Sequence, residues 1–299
     1  MKRRSHKVLD HPLLGYFLLF LYGNLMTLFG DPIDRMIARA VPGYAIEITQ
    51  MGIATQSASG VGTGLAALLA VFLFWLWFRP EFDGMLKKEN LVRGLVLLLP
   101  FLLFHYFGTV VSLFTFGTGS VLVAFLRSFA PGFSEEVIYR GLGVANYMRT
   151  IRTEKDIVKI FVFSSVVFGL AHMGNILAGA DAFSSITQSI YAIGVGMVFC
   201  AVFLRTGNLW PTMIGHMSVD FLELIRSDLS SSGGLMTGMG IGDWITIAAG
   251  VFAAFYGIHL VSEKYRPEIM ELWRRKWNKD KADAEPAADR NVQENQPQQ

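Results

Sequence analysis

Apolar runs long enough to cross a bilayer recur along most of this chain, and that feature restricts it to very few architectures. A hydrocarbon core is ~30 Å thick and takes ~20 helical residues to span, and inside it every backbone N–H and C=O must be bonded within its own element. Such runs occupy residues 13–29, 61–78, 91–116, 120–148, 157–177, 186–204, 209–225 and 244–261. The expected fold class is therefore all-α, a polytopic integral membrane helical bundle of about eight transmembrane helices. With 52% hydrophobic and only 17% charged residues, the chain is too apolar along its length for an ordinary soluble domain.

Lysine and arginine sort the loops into two sets, because short cytoplasmic loops carry the excess of positive charge. Lys2, Arg3, Arg4 and Lys7 precede the first run, and Arg79, Lys87, Lys88 and Arg93 follow the second. Arg149, Arg152, Lys155 and Lys159 follow the fourth, Arg205 the sixth, and Arg274, Arg275, Lys276, Lys279 and Lys281 the eighth. The intervening loops are poor in them: 31–60 holds only Arg35 and Arg39, and 178–185 and 227–243 hold none. Both termini are expected in the cytoplasm of a cell that is expected to be prokaryotic, with the protein multi-pass in its plasma (inner) membrane.

The net charge of +2 is spread over loops rather than gathered with aromatics, so no nucleic-acid partner is expected. Cys200 is the single cysteine and lies inside the sixth run, which excludes an intrachain disulfide or thiolate metal site. Residues 13–29 are long for a signal-peptide core, and no small-x-small site follows before Asp31-Pro32, so a cleavable leader is not expected.

The chain divides into a cytoplasmic segment 1–12, a transmembrane domain 13–262, a basic interfacial segment 263–279 bearing Trp273, Trp277, Arg274 and Arg275, and a disordered polar tail 280–299. Between the first two runs, Ile33, Ile37 and Val41, then Ile46 and Ile48, keep a helix-like spacing that predicts a helix lying on the membrane surface. Residues 227–242, with Ser230, Ser231, Ser232, Gly233 and Gly234, read as a flexible loop.

Charged motifs interrupt the apolar pattern in the second half. They are Ser134-Glu135-Glu136-Val-Ile-Tyr-Arg140, Phe168-Gly-Leu-Ala-His172 and His216-Met-Ser-Val-Asp220. A charge at the bilayer centre costs ~2.5–3.5 kcal/mol on the most lenient scale, so these groups are expected in a shared, partly wet interior site. Glu136 and Arg140, at i and i+4, share a helix face and can pair; Glu135, ~100° away, is left to face the site. Pro131-Gly132 is expected to break or bend the fourth run and open room for water. Asp220, one turn after His216, can orient or charge it. His105 reads instead as an interhelical hydrogen bond, and Gly60-x-x-x-Gly64, Gly194 and Gly196 as close helix packing.

Other membrane-protease signatures do not fit. Gly240-Ile-Gly242-Asp243 has the Gly-x-Gly-Asp of presenilin-like aspartyl proteases, but the partner Tyr-Asp is missing. Ser57-Ala-Ser59-Gly60 has no neighbouring histidine for a rhomboid-type serine, and the His-Glu-x-x-His of zinc site-2 proteases is absent.

The order Glu-Glu-x-x-x-Arg, Phe-x-x-x-His, His-x-x-x-Asp/Asn in successive membrane regions, with Arg140-Gly141-Leu142 and Asn175 after His172, resembles the CPBP family, also called the Abi or CAAX-protease type II family. The resemblance covers about 120–225. It implies a multi-pass intramembrane endopeptidase in which Glu135 activates water beside His172. Glu136 and Arg140 would support it, and His216 and Asp220 would contact the developing oxyanion or complete the water site. Asp220 stands where the eukaryotic branch has Asn. Cofactors stay open at this level, either none or a divalent metal such as zinc held by Glu135, His172, His216 and Asp220. The expected substrate is a membrane-associated protein or peptide. A proton-coupled transporter using the same groups as a relay, and a catalytically silent membrane scaffold or immunity protein, are the alternatives; no internal repeat favours the first.

Overall fold

The computed structural model describes residues 8–50, 53–116, 118–177, 180–225 and 241–278. The N-terminal basic cluster, most of the 227–242 loop and the polar tail lie outside these residues. Helices occupy all eight apolar runs: α1 (Pro12–Thr27), α3 (Val61–Phe78), α4 (Leu91–Phe116), α5 (Val121–Phe129) with its continuation to Arg149, α7 (Glu154–Ala171), α8 (Ala182–Thr206), α9 (Trp210–Leu224) and α10 (Ile241–Leu260). The short α2 (Asp31–Ala40) and α6 (Ala145–Arg149) and the terminal α11 (Arg266–Lys276) complete the helices described. Helix α8 forms the centre, packed by α7, α10 and α4, and its residues from Val198 to Thr206 are buried without interruption.

Among the described residues four helical segments are long and apolar enough to cross a membrane: Pro12–Ala40, Val61–Phe78, Glu154–Ile176 and Ala182–Thr206. A fifth is added if Trp244–Leu260 and Glu263–Lys276, bent by 46°, form one span. The chain is thus a multi-pass helical membrane protein, with the count of about eight not confirmed. Two of the shortfalls have a plain cause. Helix α9 has only 15 residues, and the helix through α5 carries Arg127, Glu135, Glu136 and Arg140. These two elements also hold most of the charged motif residues.

One segment departs from the helical expectation. Helix α2 begins with Pro32 in its first turn and Asp31 and Asp34 at its positive end, and stops at Ala40. Pro42 and Gly43, the latter at φ +79°, turn the chain. Then β1 (Ile46–Gln50) pairs antiparallel with β2 (Ile53–Ser57), Ile46 opposite Ser57. The helix-like spacing of Ile46 and Ile48 is corrected here: Ile46-Glu-Ile-Thr49 also alternates with period two and is rich in β-branched residues, and the turn makes that period decide.

The α2–α3 connection is closed by Asp34, fully buried. Its Oδ1 accepts from Tyr44 Oη at 2.5 Å and Gly62 N at 2.9 Å, and its Oδ2 from Thr63 N at 2.8 Å and Thr63 Oγ1 at 2.7 Å. A carboxylate of one helix thereby caps the N-terminus of the next, satisfying N–H groups that have no intrahelical acceptor. Desolvation, then the neighbouring Asp34, push the Tyr44 hydroxyl above its ordinary range, so it stays a donor. Asp34→Ala is expected to destabilise the protein by about 3 kcal/mol, because it leaves buried N–H groups unpaired. Thermal unfolding in detergent checks this, and an unchanged midpoint would contradict it.

The carboxyl-terminal aromatics point inward. Trp273 Nε1 donates to Leu204 O at 2.9 Å, and Trp277 Nε1 to Ala145 O at 3.1 Å, its ring stacked on Phe82 at 4.2 Å. Glu268 pairs with Arg93 of α4 and Arg205 of α8, tying α11 to both.

Candidate active site

The helix that starts at Val121 does not break at Pro131-Gly132; it widens. From Ala130 to Glu135, and again from Val137 to Val144, the backbone adopts π-helical hydrogen bonding before returning to α-helix at Ala145. Proline cannot supply an N–H to the ladder, and a wider turn accommodates that loss without ending the helix. Ser134 Oγ donates to Ala130 O at 2.6 Å within this stretch. The expected break or bend takes the form of two π segments, with Glu135 ending the first and Glu136 standing between them.

Gly132 explains how α9 reaches them. A Cβ placed there would lie 2.6 Å from Met217 Cα and 2.7 Å from Met217 N. Only hydrogen fits between the two backbones, so α9 closes against the π segment and brings its next-door residue, His216, over the acids.

His216 is the hub, buried at 6% exposure. Its Nδ1 lies 2.9 Å from Glu136 Oε1. Its Nε2 lies 3.4 Å from Asp220 Oδ2 and 3.9 Å from Glu135 Oε2. Adjacent acids on divergent faces cannot clamp one atom, and they do not; the imidazole spans them through opposite nitrogens. Nδ1 donates when Glu136 is ionised, which fixes the orientation of the ring.

Glu136 and Arg140 form the expected pair, Nη1 to Oε1 at 3.0 Å, with both side chains fully buried. The same Oε1 thus receives both Arg140 and His216. Arg140 is held further by Nη2 donating to Gly196 O at 3.2 Å and by the Phe168 ring 4.2 Å beneath its guanidinium. Phe168 also meets His172 at 5.2 Å and His216 at 5.8 Å, both edge to face, and Phe199 covers the other side of His216 at 5.2 Å. Sequence reasoning passed over Phe199 and the Gly196 carbonyl, since a lone aromatic or glycine in an apolar run carries no signal.

His172 ends α7, with Nδ1 3.0 Å from Phe168 O. It joins the cluster through Phe168 and, among the described residues, is not paired with an acid. Asn175 is placed apart from the acids: its Nδ2 donates to Gln188 Oε1 of α8 at 2.7 Å, fixing the turn after His172. His105 makes the interhelical bond expected of it, Nδ1 to Tyr191 Oη at 3.0 Å. Gly194 packs as expected, since a Cβ there would fall 1.9 Å from Gly250 O.

Three buried carboxylate oxygens at this hub, Glu135 Oε2, Glu136 Oε2 and Asp220 Oδ2, have no hydrogen-bond partner in the protein. Buried polar atoms are nearly always satisfied, so the two that face His216 Nε2, Glu135 Oε2 and Asp220 Oδ2, mark a place for a polar guest. A divalent ion is a poor one: no group of three His, Cys, Asp or Glu side chains among the described residues is arranged to hold a metal. His216 Nδ1 is turned to Glu136, and His172 stands outside the acid cluster.

A helical membrane protein with a carboxylate–histidine centre built on π-helical backbone is the class these features define. Residues 117–222, the part bearing all three motifs, match the family model described as type II CAAX prenyl endopeptidase Rce1-like. This bears out the CPBP resemblance and connects the segment with CAAX-type membrane peptidases. No curated protein and no solved structure matches the chain.

Proposed function

We propose that this protein is an intramembrane endopeptidase that hydrolyses a peptide bond of a membrane-associated protein or peptide through water activated by Glu135. The observation that carries the reading is the set of unpartnered carboxylate oxygens around His216. A water molecule there meets Glu135 Oε2 and Asp220 Oδ2 as acceptors. Glu135 takes one proton as the water oxygen attacks the scissile carbonyl, and the protonated His216 donates from Nε2 to the oxyanion that forms. The proton on Glu135 then passes to the leaving amine. Glu136, Arg140 and Phe168 do no chemistry; they fix the imidazole. His172, one aromatic ring away, is assigned to the substrate side of the same pocket.

Mapping new peptide termini in cells carrying the wild-type protein against Glu135→Gln tests this. Termini that appear only with wild type support it, and identical profiles refute it.

The reading is metal-free, because the donors do not form a ligand set. Asp220→Asn is then expected to keep activity within about tenfold, since an amide oxygen still accepts from a water at the same place. Chelator treatment is expected to have no effect on the purified enzyme. Stoichiometric zinc by elemental analysis, together with an inactive Asp220→Asn, would reverse this assignment.

A further inference from the structure

A second cleft differs in its chemistry from the histidine hub. Where α10 bends into α11, a cleft of about 510 Å³ opens between the first turns of α7 and this elbow. Its apolar wall is Val158, Phe161 and Val162 on α7, with Ile258 and Val261 facing them. Its rim is polar and carries Ser262, Lys264 and Arg266, with one acid, Glu263. Val162 and Ile258 are 42% and 51% exposed, so the apolar wall is open to the surroundings of the helices rather than sealed by protein.

The rim groups are positioned. Arg266 Nε donates to Val261 O at 3.1 Å, and Nη1 sits 3.7 Å from Glu263, whose side chain is 89% exposed and can swing away. The Lys264 ammonium lies 5.4 Å from the Tyr265 ring centroid, and Arg205 stacks on that ring at 3.8 Å. Lys155 and Lys159 belong to the same end of α7. An apolar slot open to the hydrocarbon under a basic rim matches a molecule with an anionic head and a hydrocarbon tail.

We infer that this cleft binds one anionic phospholipid of the bilayer, the phosphate on Lys264, Arg266 and Ser262 and an acyl chain along Val158, Val162 and Ile258. Charge complementarity selects the head, and the length of open apolar wall selects a lipid over a free anion. The bound lipid fills the angle between α10 and α11 and ties the elbow to α7.

Native mass spectrometry of the full chain in detergent, titrated with phosphatidylglycerol and with phosphatidylcholine of the same acyl chains, tests the assignment. Phosphatidylglycerol is expected to be retained at lower lipid concentration. Lys264→Gln is expected to weaken it about fivefold, the scale of one basic residue at an anionic surface, while Lys155→Gln, outside the cleft, has a smaller effect. Val162→Trp, at an exposed position, is expected to block binding with unfolding temperature unchanged. Equal retention of the two lipids, equal effects of the two lysine variants, or displacement of the lipid by inorganic phosphate at millimolar concentration would each overturn it.

Discussion

Replacing Glu135 by glutamine is expected to leave the bundle folded and to cut peptide hydrolysis by about 10³-fold, the range in which a positioned general base contributes. The amide keeps the size and polarity of the side chain but cannot accept water's proton. The folded state should tolerate the change, because Glu135 makes only a long contact to His216, at 3.9 Å, and is partly exposed. The measurement is turnover of a lipid-anchored reporter peptide by purified protein, with thermal unfolding recorded alongside. Wild-type turnover in Glu135→Gln would sink the proposed mechanism, while the family match would stand.

Glu136→Ala is expected to fail differently, losing about 3–5 kcal/mol of stability as well as activity. Arg140 is fully buried and Glu136 is its one carboxylate partner among the described residues, so the alanine variant strands a guanidinium charge in an apolar interior. It also removes the acceptor that fixes His216 through Nδ1. The expected signature is a large fall in unfolding temperature, with activity lost even below the new midpoint. Arg140→Met on the Glu136→Leu background should recover much of the stability and none of the activity, because it removes both charges yet leaves His216 unanchored. A Glu136→Ala protein as stable as wild type would show that the pair is not buried as described.

The positions of the helices and one salt bridge were legible in the residues. Eight apolar runs contain eight helical segments, because burying unpaired backbone in hydrocarbon leaves no other local choice. Glu136 and Arg140 pair because i, i+4 spacing alone brings them together. The pairing of Ile46–Gln50 with Ile53–Ser57 was not legible, since Ile46 and Ile48 satisfy two periods at once and the turn at Gly43 arbitrates. The count of about eight crossings was not confirmed for a related reason. Residues 121–149 and 210–224 are apolar enough to look like spans, but the former carries the buried charges and the helix in the latter has only 15 residues.

What the sequence by itself determined was a helical membrane protein with three charged motifs of CPBP type, because hydropathy and local spacing are properties of neighbouring residues. What only the tertiary structure decided was which groups meet. Glu135 and Glu136 diverge on their own helix, and only an imidazole delivered from eighty residues away, at van der Waals approach over Gly132, joins them. His172 and Asn175 sit in one motif, yet one lies beside the hub through Phe168 and the other turns to Gln188 of α8. Such choices depend on helix-to-helix distance and on the π-helical widening at Pro131, neither of which is encoded in the spacing of any single segment.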